Sequence, residues 1–164
     1  MAIRPILPYP HPGLATMCQP VETFDATLEA LVQDLVDTMR AAPGVGITAA
    51  HIGVAQRVFV LELTPGNLRT YINAEITKTS TETMRHMEGS VSMPGFTEEV
   101  ERPNSISLRF QDVTGAMHEE TAEGFHAICI QHEIDQLNGI FWIKRLSRLK
   151  RDRLVRRWEK SRVA

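Results

Sequence analysis

Hydrophobic positions along the chain recur with two different periods, and the switches between them mark out its elements. Leu28, Leu31, Val32, Leu35, Val36 and Met39 fall at helical spacing, which predicts a helix with one face in the core. Asp25 can cap its start, and Pro43-Gly44 ends it. Upstream, Pro5 to Pro12 is punctuated by prolines, whose fixed φ and bias on the preceding residue predict an extended segment. After Gly44-Val45-Gly46 the period becomes two. Val58-Phe59-Val60-Leu61 and Tyr71 to Ile76 read as strands, separated by the turn signal Pro65-Gly66-Asn67. Ser105 to Phe110 alternates cleanly, as a half-buried antiparallel strand does, and Met117 to Ala122 can pair with it across Thr114-Gly115. Gly124 to Asn138 reads as a second helix stopped by Gly139, and Leu146 to about Lys160 as a third. Strands grouped between helices point to an α+β fold rather than a wound parallel sheet.

Composition narrows this further. At 164 residues with 43% hydrophobic content, the chain suits one domain, 1–164, with a sizeable core. Apolar runs are short, and the N-terminus lacks the apolar region of a signal peptide, so a cytoplasmic protein with no membrane partner is expected. Two cysteines, Cys18 and Cys129, support neither a disulfide framework nor a four-cysteine zinc site. The net charge of −2 conceals an asymmetry. Residues 1–143 carry 8 Lys/Arg against 18 Asp/Glu, a balance of −10, whereas 144–164 carry 10 against 2, a balance of +8. An acidic body therefore bears a basic C-terminal helix.

Candidate chemistry centres on Gln131-His132-Glu133-Ile134-Asp135-Gln136. A helix puts positions i and i+4 on one face, so H-E-x-x-H presents two imidazoles to a zinc ion with the glutamate beside the metal-bound water. Here Gln136 stands in place of the second histidine. Alone, such a His-Glu pair is ordinary on a structural helix.

Two further segments change that reading. Gly44 to Gly53 and Glu88-Gly89-Ser90-Val91-Ser92-Met93-Pro94-Gly95 precede it, and the three in this order resemble the signature motifs of the peptide deformylases. Tyr9 to Leu14 and Ala127 to Ile130 are similar to that family too, so the resemblance spans nearly the whole chain. It implies an α+β fold with antiparallel sheets around the central helix, and a bacterial metal hydrolase of protein biosynthesis that removes the N-formyl group from N-formylmethionyl nascent peptides.

Against the family pattern the centre is altered. The family holds Fe(2+) or Zn(2+) with a cysteine of the second motif and both histidines of the third; the matching residues here are Ser90, His132 and Gln136, so His132 alone survives as a metal ligand. Glu133, the general acid/base by resemblance, is kept, and His51 replaces the glutamine that helps hold the oxyanion. Structural zinc binding is worth about 10–16 kcal/mol in small peptides and draws on thiolate and imidazole donors. A protonated hydroxyl and a neutral amide replace neither, so the expectation is that no metal is retained and that deformylase activity is weak or absent.

Other outcomes stay open at this stage. His51, His86 and His132, if drawn together, make a rebuilt three-imidazole metal site. Alternatively, Ser90, if it reaches His132 with Glu133 near, becomes a base-activated nucleophile of a metal-free amidase or esterase. The resemblance also assigns a peptide cleft to Val45, Gly46, His86, Glu88, Gly89, Phe125, Ile128 and Cys129, where the N-terminal peptide of a nascent chain would lie as an extended strand. His86 stands where the family is apolar. The basic helix matches the position of the family's ribosome-docking extension, which makes the ribosome and its RNA candidate partners.

Overall fold

A computed structural model describes residues 2–163. Helix α1, Ala26–Ala41, starts where Asp25 accepts a hydrogen bond from the Leu28 N–H at 3.1 Å, and it buries Leu28, Leu31, Leu35, Val36 and Met39, with Val32 partly covered. That stripe packs on a five-stranded antiparallel sheet of order β1-β2-β3-β6-β7, formed by Gly46–Thr48, Val58–Glu62, Leu68–Thr79, Ser105–Gln111 and Met117–Glu123. Strands β6 and β7 pair as expected, in a register that sets Ile106 opposite Ala122, and Gly115 turns between them with φ of 89°.

A second sheet, of β4 Thr83–Glu88 and β5 Glu98–Pro103, has no hydrophobic signature in the sequence. Its fully buried positions are Glu88, Val100 and Arg102, so two of the three inward residues are charged and the period-two apolar signal is missing. Strand β1 spans only three residues, too few for any period to show.

Helix α2, Gly124–Leu137, runs between the two sheets and contacts strands of both. Most of its circumference is buried, the condition of a helix surrounded by protein. It stops where Gly139 takes φ of 77°; a Cβ there would lie 2.8 Å from the Ala15 carbonyl oxygen, so the position admits only glycine without displacement.

The third helix begins later than the apolar pattern predicts. Trp142–Arg145 forms a 3-10 turn, Leu146 is extended, and α3 covers Arg148–Val163. Ser147 sets this start: its hydroxyl accepts from the Lys150 N–H at 3.3 Å and its carbonyl from the Arg151 N–H at 2.9 Å. Leu154 and Trp158 of α3 pack with Leu14, Met93, Val100, Phe141 and Trp142, with Tyr9 and Phe96 against them. Among the described residues no helix is long and apolar enough to cross a membrane.

Candidate active site

A cavity of about 430 Å³ opens where β1, the end of β4 and α2 converge. Its lining brings together Val45, Gly46, His51, His86, Glu88, Gly89, Ser90, Phe125, Ile128, Cys129, His132 and Glu133. Gln136 stands apart from it. Its Nε2–H donates to the Leu14 carbonyl at 2.6 Å, so this amide is engaged with the N-terminal segment.

The polar end of the cavity is organised by buried charge. Arg102, 4% exposed, gives Nε and Nη2 to the two oxygens of Glu88 at 2.6 and 2.9 Å, and Nη1 to Asp135 at 2.8 Å. Arg145 grips Asp135 from the other side at 2.8 and 2.7 Å. Glu88 Oε1 also accepts from His132 Nδ1 at 2.9 Å. Burial opposes ionisation of Glu88, yet the hydrogen bonds from His132 and Arg102 outweigh it and hold the carboxyl at about 2. Burial likewise works against a charge on His132, but its bond to Glu88 and the nearby Glu133 raise its pKa above the usual value.

His51 behaves oppositely. It sits in the 3-10 turn Ala49–Ile52, buried, and the Thr48 N–H points at its Nδ1 at 2.9 Å, with Thr48 Oγ1 at 3.0 Å. A backbone N–H only donates, so Nδ1 is an acceptor and the ring is neutral with its proton on Nε2. Burial, followed by the charge of His132, pushes its pKa down to about 3. That Nε2–H has no partner among the described residues, and neither has Glu133 Oε2. Burial raises the Glu133 carboxyl to about 7; its Oε1 lies 3.8 Å from His132 Nε2. An unpaired donor and an unpaired carboxylate oxygen thus belong to two residues of the cavity wall.

Two alternatives that the sequence leaves open are not built by this geometry. Ser90 Oγ accepts from the Ser92 N–H at 3.1 Å and His132 Nδ1 bonds to Glu88, and among the described residues no hydrogen bond joins Ser90 to His132. His86 turns its Nδ1 to the Met87 carbonyl at 2.8 Å and rests against Phe125, so the His51, His86 and His132 rings do not assemble. Among the described residues no three His, Cys, Asp or Glu side chains form a group able to hold a metal ion. Cys129 offers no thiolate in compensation, because burial and then the charges of Glu133 and Glu88 push its thiol up to about 12.

The sequence model of the polypeptide deformylase family matches residues 3–152. This chain belongs to the peptide deformylase family. A peptide deformylase-like protein of Agrobacterium fabrum is 77% identical over 99% of both chains, and a peptide deformylase of Phenylobacterium zucineum is 45% identical over 98% of this chain and 97% of its own. Among solved structures, the peptide deformylase of Legionella pneumophila superposes with a TM-score of 0.92 at 37% identity, covering 98% of this chain and 96% of that one. The α+β architecture with a C-terminal helix is thus that of the family.

Arg102 lies outside the motifs, and Thr48 and Asp135 lie inside them with no role assigned, although all three brace the site residues. One signal was present: Glu88 lies in a segment matched to a buried centre, and a buried carboxylate demands a cation.

Two measurements check these assignments. In ¹⁵N-histidine-labelled protein, His51 is expected to show a protonated Nε2 and a bare Nδ1, unchanged from pH 5 to 8; an imidazolium or the opposite tautomer at pH 7 contradicts the assignment. Because the folded pKa of Glu88 is depressed, its stabilisation is complete above the unfolded value of about 4.5 and is lost as pH falls towards 2. Glu88→Gln should therefore cost on the order of 3 kcal/mol in urea denaturation at pH 7. The gap from wild type should narrow progressively below pH 4.5, whereas parallel stability profiles would refute the role of this carboxylate.

Proposed function

We propose that this chain is a peptide-binding member of the deformylase family that no longer carries out metal-dependent deformylation. The observation that carries the reading is the orientation of Gln136, whose amide is engaged with the Leu14 carbonyl at 2.6 Å instead of facing the cavity. With Ser90 at the second altered position, a hydroxyl and an amide engaged elsewhere stand where the family has a thiolate and its second imidazole, and the Cys129 thiol, pushed up to about 12, does not make good the loss. Metal lowers the pKa of bound water from 15.7 to about 7, an activation that Glu133 alone does not supply.

What remains suits recognition. The cavity keeps apolar Val45, Phe125 and Ile128 beside the His51 donor and the Glu133 oxygen, a combination that takes an extended N-terminal peptide with a polar terminus. The ligand class is the N-terminal peptide of nascent chains, met in the cytoplasm. In isothermal titration calorimetry with EDTA present, formyl-Met-Ala-Ser should bind without release of formate, and elemental analysis after growth in iron-rich medium should find far less than one metal per chain. Stoichiometric iron, nickel or zinc, or metal-dependent formate release, would sink the reading. The paired change Ser90→Cys with Gln136→His should restore metal binding, and either change alone should do little.

A second partner is supported by α3. Arg148, Arg153, Arg156, Arg157 and Lys160 are exposed on a helix that buries only Leu154 and Trp158, which makes it a cationic surface for the phosphates of ribosomal RNA. Co-sedimentation with ribosomes is expected at low salt. It should fall steeply as salt rises and weaken when Arg153, Arg156 and Arg157 are reversed to glutamate; indifference to both would leave the helix as a solvated surface.

A further inference from the structure

We infer that the apolar end of the cavity selects an aromatic first residue of the bound peptide, with His86 and Phe125 as the wall it stacks on. The inference rests on the peptide-binding reading and adds which side chain that cleft prefers.

Strand β4 and helix α2 touch along the cavity at two rungs. Residues at i and i+2 of a strand share a face, so His86 and Glu88 both address α2. Positions Phe125, Ile128, Cys129 and His132 follow one another along a single face of the helix, and seven residues at 1.5 Å each put Phe125 about 10 Å from His132. The inner rung is polar: Glu88 Oε1 meets His132 Nδ1 at 2.9 Å. The outer rung is aromatic: the His86 and Phe125 rings lie 4.8 Å apart at 37°. Ile128 and Cys129 lie between the rungs, where a first side chain would rest.

Both properties of the outer rung favour a flat ring. His86 is held in place, because its Nδ1 lies 2.8 Å from the Met87 carbonyl, which can only accept. It therefore holds the imidazole in close, tilted contact with the Phe125 ring, and the pair forms one aromatic surface at the cavity mouth. Around this wall apolar surface is left uncovered, with Val45 44% and Phe125 41% exposed. Exposed apolar groups clustered at a cavity mouth mark a binding surface. A slender aliphatic chain covers part of it and gains no ring contact, whereas an aromatic ring buries a larger area and stacks on the pair. One aromatic pair corresponds to a preference of about threefold to tenfold.

The test uses the full chain in EDTA and the peptides formyl-X-Ala-Ser, where X is Phe, Trp, Met or Leu, titrated by calorimetry. Phe and Trp peptides should bind about threefold to tenfold more tightly than Met and Leu peptides. His86→Ile and Phe125→Leu, both at the cavity mouth, should each abolish that preference. In the unmodified protein, nuclear Overhauser contacts between the peptide ring and the Phe125 and His86 rings give a readout independent of the variants. Binding without aromatic preference, or a preference untouched by both substitutions, overturns this inference alone. Failure of every peptide to bind overturns the peptide-binding reading and the inference together.

Discussion

The guanidinium of Arg102 is the contact on which the site depends. A cation 4% exposed must have its donors answered by acceptors, and Glu88 and Asp135 answer them from opposite sides. Through those two carboxylates the charge reaches His132 on α2 and Arg145 in the turn before α3. One side chain of β5 thereby fixes the depth of β4, the rotation of α2 and the approach of the last helix. Removing either partner would leave a buried charge alone, which is far costlier than never having buried the group.

Around this frame two histidines in one cavity acquire opposite proton tendencies. His132 faces an ionised carboxylate and leans towards the charged form, whereas His51 faces a backbone amide and is kept neutral. The difference comes from the atom opposite Nδ1. At His51 it leaves the Nε2–H as a donor, beside the unpaired oxygen of Glu133.

Legibility in the sequence followed the physics of each element. Helix α1 and the β6–β7 pair could be read because one face of each is apolar and the other polar, and α2 because its motif and its glycine stop bracket it. Strands β4 and β5 could not, since their inward positions include Glu88 and Arg102, which count as surface residues in any hydrophobic pattern. At the site, motif matching named residues that the fold gathers on one cavity, but it did not foresee that Gln136 would bond to Leu14. Such partners lie 122 positions apart and are set by tertiary packing. The late start of α3 had a local cause, the capping serine at 147, which a stripe of leucines does not reveal.

Trp158 ties the two ends of the described chain together. Its indole Nε1–H donates to the Tyr9 carbonyl at 3.1 Å, and its ring meets Phe96 edge-on at 5.3 Å. During synthesis the segment around Tyr9 emerges first, yet the residues that cover it are made 149 positions later. The contact that closes over the Tyr9 carbonyl therefore forms only once Trp158 has been made, although Leu7, Tyr9 and Cys18 also bond to residues that precede α3. The cluster of Leu14, Phe141, Trp142, Leu154 and Trp158 is thus closed last, whereas every residue that lines the cavity, from Ala42 to Glu133, precedes α3 in the chain.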